Sequence, residues 1–204
     1  MSFVAAERAR LAHLLLELGP DAPTLCEGWA TRDLAAHLLI RETKPAAAAG
    51  IVLPVGQQRL ERETRRQLER DYGDVVREWA AGPPRFSPFA ALDGVVNTVE
   101  YFVHHEDVRR GGGVVVPRDF SAVVSDLLYT WLRRIAPRLL AKSRVPVVLT
   151  AEGYPRVVCA DRRGVAEQGN EVVRVTGDVG EVLLWVFGRD AIAASVEGNA
   201  ELAR

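Results

Sequence analysis

The chain has 204 residues, 48% of them hydrophobic, and a net charge of −1 from 26 basic and 27 acidic side chains. That apolar content supports a packed core and excludes a disordered chain, and the lack of a basic surplus argues against a general nucleic-acid binder. Two cysteines, Cys26 and Cys159, stand in no metal spacing, which suits a reducing compartment better than a disulfide scaffold. The N-terminal residues lack a basic stretch followed by a long apolar one, and no apolar run approaches the roughly 20 residues that span a bilayer. A soluble, cytoplasmic protein with no membrane partner is expected.

Residues 2–18 read as a helix, with Val4, Leu11, Leu14, Leu15 and Leu18 on one stripe and Gly19-Pro20 as its stop. His13 falls off that stripe, toward solvent. A loop follows over 21–30. Thr31 reads as an N-cap, with Asp33 in the first turn, where the helix dipole favours a negative charge. The helix expected over 32–48 carries Leu34, Leu38 and Arg41 inward, with His37 on the same face. Gly50, Pro54 and Gly56 break the chain. A charge-rich helix over 57–81 then carries pairs such as Glu61–Arg65; it reads as a solvated face packed at its far end by Val75, Val76 and Trp79.

After the rigid loop 82–88, a helix is expected over 89–110. Leu92, Val95, Val96, Val99, Phe102 and Val103 form its apolar arc, and Gly111-Gly112-Gly113 ends it. Phe120, Val123, Val124, Leu127, Leu128, Trp131 and Ile135 repeat with helical period over 119–140, with a kink expected near Pro137. The pattern then changes to short strands at 145–150, 156–160 and 171–176, a helix over 178–187 and a last strand at 193–197. The fold class expected is mainly α: a helical bundle over 1–142, with a small α/β (α+β) unit over 143–204. About 60 residues are marginal alone, so the second unit is expected to pack on the first.

The helix over 89–110 also carries a polar stripe, Asp93, Asn97, Glu100, His104 and Asp107. Glu100 and His104 are four apart, so their Cβ atoms lie roughly 5–6 Å from each other, close enough to converge on one ion with bonds of about 2.0–2.2 Å. A wetted helix face with an ordinary Glu–His pair explains the same stripe. His37 offers a similar choice between a hydrogen-bonded core histidine and a third ligand. Two imidazoles and one carboxylate would leave open positions, as in catalytic zinc sites, and would equally suit ferrous iron. Asn97 and Asp107 are candidates for outer partners of such ligands, His105 points elsewhere, and Cys26 is a buried structural cysteine, a fourth ligand or a redox handle.

Two segments carry a resemblance. Trp29-x3-Asp33-Leu34-x2-His37 resembles the entry to the second helix of DinB-like metal-binding bundles. Glu100-x3-His104-x2-Asp107 is similar to the Glu-x3-His element of the mycothiol-dependent maleylpyruvate isomerase branch. The run from Val96 to Arg110 looks like an uncharacterised metal-binding subfamily near that branch, and Gly177-Asp178-x2-Glu181-x-Leu183-Leu184-Trp185-x-Phe187-Gly188-Arg189 resembles its C-terminal cap.

The resemblance implies a DinB-like four-helix bundle holding a divalent metal through His37, Glu100 and His104. Zinc is favoured, with nickel, iron or manganese as alternatives. It implies a low-molecular-weight thiol cosubstrate, mycothiol-like, activated for S-transfer to an electrophilic substrate or for isomerisation. It also implies a C-terminal arginine at the substrate, for which Arg174 and Arg189 are the candidates. A homodimer is among the assemblies the reading allows. Two other functions stay open: a metal-dependent hydrolase without a thiol, using Asp107 or Asp93 as base, and a non-enzymatic metal-binding or regulatory protein.

Overall fold

The computed structural model describes residues 2–51, 54–82, 88–162, 164 and 171–203, with backbone alone at 55 and 88–96. Two compact units emerge, 1–114 and 115–204. The sequence expectation draws its boundary at 142/143 instead. The difference is one helix, 122–139, which packs on the helix and sheet that follow it.

The first unit contains α1 (Phe3–Leu18), α2 (Thr31–Thr43), the short α3 (Pro45–Ala48), α4 (Gln57–Leu68), α5 (Tyr72–Ala80) and α6 (Pro88–Arg110). Its core joins Val4, Leu11 and Leu15 of α1, Leu34 and Leu38 of α2, and Trp79 of α5. The apolar stripe of α1 is inward as expected, apart from Leu18, which is exposed. Of the arc expected on α6, Val99, Phe102 and Val103 are buried; Leu92, Val95 and Val96 lie outside the described side chains.

Three of the helix boundaries that differ from expectation have a plain local reason. The N-cap of α2 is Ala30 rather than Thr31: the Asp33 carboxylate accepts from the Ala30 amide at 2.9 Å, and the Thr31 hydroxyl donates to the Gly19 carbonyl at 2.5 Å. Lys44 ends α2 because the next residue is Pro45, which has no amide hydrogen to continue the ladder and instead opens α3. The charged helix is two helices, α4 and α5, because Asp71 caps the second by accepting from the Asp74 amide at 2.9 Å.

Charge is also buried in this unit. Glu42 accepts from Arg8 at 2.7 Å, from the Trp79 indole at 2.6 Å and from the Tyr101 hydroxyl at 2.5 Å. Arg8 also donates to the Trp79 carbonyl at 2.8 Å and lies over the Tyr101 ring. Three donors on one carboxylate are what make its burial tolerable.

The second unit holds α7 (Ala122–Leu139), β1 (Val147–Ala151), β2 (Val157–Cys159), β3 (Val173–Gly177), α8 (Val179–Val186) and β4 (Ser195–Glu197). The sheet order is β2-β1-β3-β4, with β1 and β3 parallel and both outer pairings antiparallel. α8 is buried throughout and packs between α7 and the central strands β1 and β3. No helix among the described residues is long and apolar enough to cross a membrane.

Candidate metal centre

Between α1 and α2 the chain makes a folded loop that positions the site. Pro23 bridges Ala30, the Cys26 carbonyl accepts from the Trp29 amide at 2.9 Å, and the Thr24 hydroxyl accepts from the Cys26 amide at 3.1 Å. The loop is tied to the end of α6 by a bond from the Leu25 amide to the Asp107 carbonyl at 3.0 Å. Gly111 permits this approach: a Cβ there would lie 1.9 Å from the Pro23 carbonyl oxygen.

The polar stripe of α6 is not a wetted face. Asn97, His104 and Asp107 are all buried, and Glu100 is partly so. The stripe faces α2, which presents His37 and, one turn on, Arg41. Glu100 Oε1 is the meeting point: His37 Nε2 and His104 Nε2 each lie 3.3 Å from it, and Arg41 Nε lies 3.2 Å from it. The two imidazole rings meet edge to face at 5.4 Å between centroids, and Trp29 flanks His37 at 5.2 Å. Arg41 also donates to the Asn97 side-chain oxygen.

On its other edge, His104 Nδ1 lies 2.9 Å from Asp107 Oδ2, which also accepts from the Cys26 thiol at 3.2 Å. The bond to Asp107 assigns the neutral ring's proton to Nδ1 and turns the Nε2 lone pair toward Glu100. Two lone pairs 3.3 Å apart repel unless a metal ion or a proton stands between them. In the metal-free chain the electrostatics favour the proton. Burial alone would raise the Glu100 carboxyl, but hydrogen bonds to His104 and His37 and the charges of His104 and Arg41 outweigh it, holding Glu100 well below the usual carboxylate range. Burial would likewise lower the His104 imidazole, but its bonds to Asp107, Cys26 and Glu100 outweigh that and hold it well above its usual value.

The donor set fits a metal. A tetrahedral ion with bonds of about 2.0–2.1 Å has donor–donor edges of about 3.3 Å, the separation found from each imidazole to the carboxylate oxygen. The ligand atoms of His37, Glu100 and His104 all lie within 4.8 Å of one another.

Cys26 lies at the opposite edge of the His104 ring from Glu100, so it belongs to a different group of donors. Asn97 and Asp107 touch Arg41 and His104 respectively. His105 points away, to Glu7 at 3.0 Å. Arg174 lies on β3 and Arg189 follows α8, where it donates to the Phe187 carbonyl at 2.6 Å; both belong to the second unit. The side chain of Asp93 lies outside the described residues. Sequence reasoning placed Arg41 on the inner face of α2 but missed its contact with Glu100, for which its position four residues after His37 was the available signal.

No family model matches the chain, and no curated protein matches it. Solved structures do. The crystal structure of the mycothiol-dependent maleylpyruvate isomerase aligns over 96% of this chain and 90% of its own, with a TM-score of 0.61 and 17% sequence identity. The chain shares that enzyme's fold. A point mutant of the same isomerase aligns over 95% and 90% with a TM-score of 0.59, also at 17% identity. This chain is mainly helical with a small C-terminal sheet, the class expected from the sequence.

Proposed function

We propose that the chain is a divalent-metal-dependent enzyme that activates a low-molecular-weight, mycothiol-like thiol for isomerisation or S-transfer to an electrophilic substrate. His37, Glu100 and His104 would hold the ion, zinc being favoured. The observation that supports this most is the convergence of two imidazole nitrogens on one carboxylate oxygen at 3.3 Å each. The fold shared with a mycothiol-dependent isomerase supports the thiol.

A bound ion of this kind supplies Lewis acidity and favours the deprotonated form of a thiol or water. The chain's own residues do the rest. Asp107 fixes the orientation and tautomer of His104 through Nδ1. Arg41 holds Glu100 in place, and Asn97 holds Arg41. Trp29 lies against the His37 ring and limits its rotation. Three protein ligands leave a position for a substrate atom, which a closed four-ligand structural site would not. The hydrolase alternative would need a base on the open side. Asp107 is fully buried behind His104 and bonded to it and to Cys26, so its placement suits orientation better than water activation.

The test is thiol consumption by purified, zinc-loaded protein with model electrophiles, compared with His37→Ala. Turnover that requires both thiol and metal and is lost in the variant is expected. Full metal loading without turnover with any bacterial thiol, mycothiol included, would overturn the enzymatic reading, and turnover without thiol would favour the hydrolase.

A further inference from the structure

His104 offers two nitrogens, and the proposed catalytic ion uses one. At the other edge, Nδ1 lies 2.9 Å from Asp107 Oδ2 and 3.9 Å from Cys26 Sγ, and Cys26 Sγ lies 3.2 Å from Asp107 Oδ2. These three atoms are one sulfur, one nitrogen and one oxygen, all within 4.8 Å of one another. A tetrahedral ion with a sulfur bond of about 2.3 Å and nitrogen and oxygen bonds of about 2.0–2.2 Å has edges of about 3.3–3.6 Å. The observed triangle brackets those lengths, so small side-chain movements would seat an ion.

We propose that Cys26, His104 and Asp107 form a second cation site, for a thiophilic ion such as zinc, cadmium or copper(I). The thiolate is the soft ligand that excludes magnesium and calcium, which take oxygen donors. His104 and Asp107 are buried, whereas Cys26 is partly exposed, so the ion enters from the cysteine side. Cys26 does not need to be gathered from a mobile segment: the bonds that tie its loop to itself and to α6 hold it there. Binding replaces the S–H proton of Cys26, released to solvent, and the Nδ1 proton of His104 with two metal bonds; with no ion at Nε2 the ring stays neutral by carrying its proton there, facing Glu100. Binding also removes the hydrogen bond by which Asp107 orients the ring. The second site does not rest on the function proposed above, since neither His37 nor Glu100 contributes to it.

Cadmium chloride is the probe, and the sulfur-to-cadmium charge-transfer absorption in the ultraviolet is the readout. Metal-stripped His37→Ala protein is expected to take one equivalent of cadmium with this absorption. Cys26→Ser in that background should abolish it, and Cys159→Ser should leave it unchanged. Absence of the band, or its survival in Cys26→Ser, overturns the proposal. Alkylation of Cys26 in the metal-stripped His37→Ala chain gives an independent reading: one equivalent of cadmium should slow iodoacetamide modification at least ten-fold, and an unchanged rate overturns the site. Loss of the first metal reading would leave both results as expected, so the two failures are distinguishable.

Discussion

Asp107 has no exposed surface and accepts from both an imidazole and a thiol, so its effect on an ion at His104 Nε2 is indirect, through the ring. In a Cys26→Ser background, which leaves that ion alone to be read, Asp107→Asn should lower zinc affinity about 10–100-fold, the range typical of partners that orient a metal-bound histidine, as measured by competition with a chromophoric chelator. An affinity unchanged from that background would mean that the ring is oriented by its packing alone. The two cysteines differ in the same local way. Burial pushes the Cys159 thiol up from 9.0 to about 11. A raised thiol pKa means less thiolate at any given pH: at pH 8, about one molecule in a thousand carries it at Cys159. Timed alkylation at pH 8 followed by peptide mapping should therefore modify Cys26 first, with Cys159 reacting appreciably only as the pH approaches 11. Glu42 shows what burial demands elsewhere. Glu42→Ala removes the shared acceptor of Arg8, Trp79 and Tyr101 and should cost about 3–5 kcal/mol of stability in urea unfolding.

Two elements define the site, α2 and α6, and the loop before α2 is fastened to the end of α6. Gly111 is the point where that fastening is tightest. Gly111→Ala would put a Cβ 1.9 Å from the Pro23 carbonyl oxygen, and the backbone must move to relieve it. A loss of about 1–3 kcal/mol is expected, with increased exchange of the amides at Leu25 and Trp29; a variant as stable and as protected as wild type would show that the loop is not held there. At this scale the sequence was most legible where periodicity is strong. The apolar faces of α1 and of the described side chains of α6 were readable because burial on one side imposes a period; the strands were readable from short β-branched runs between turn residues, since β4 is exposed throughout and β1 almost wholly buried. What it could not show was the burial of the polar stripe on α6. A stripe of Asn97, Glu100, His104 and Asp107 has the pattern of a solvated face, and only the helix opposite decides otherwise. The same holds for Glu7, Arg8 and Glu42, polar residues buried because partners distant in the chain satisfy them. Boundaries went astray where one side chain decides, as at Asp33 and Asp71.

For the molecule as a whole, the division of labour is between a helical unit that gathers the candidate ligands and a second unit built on a mixed sheet. The fold class was readable because the change from helical to strand period in the later part of the chain is abrupt. The division of the helices was not, since the amphipathic period of α7 says that it packs but not against what. The shared fold at 17% identity means that the architecture is retained with few residues in common, so the site must be judged by its own geometry. The most direct judgement is zinc-edge anomalous scattering from crystals of the zinc-loaded chain. A peak is expected about 2.0–2.2 Å from His37 Nε2, Glu100 Oε1 and His104 Nε2 together. A zinc-loaded crystal with no peak there, or with its only peak beside Cys26, would contradict the proposed ligand set.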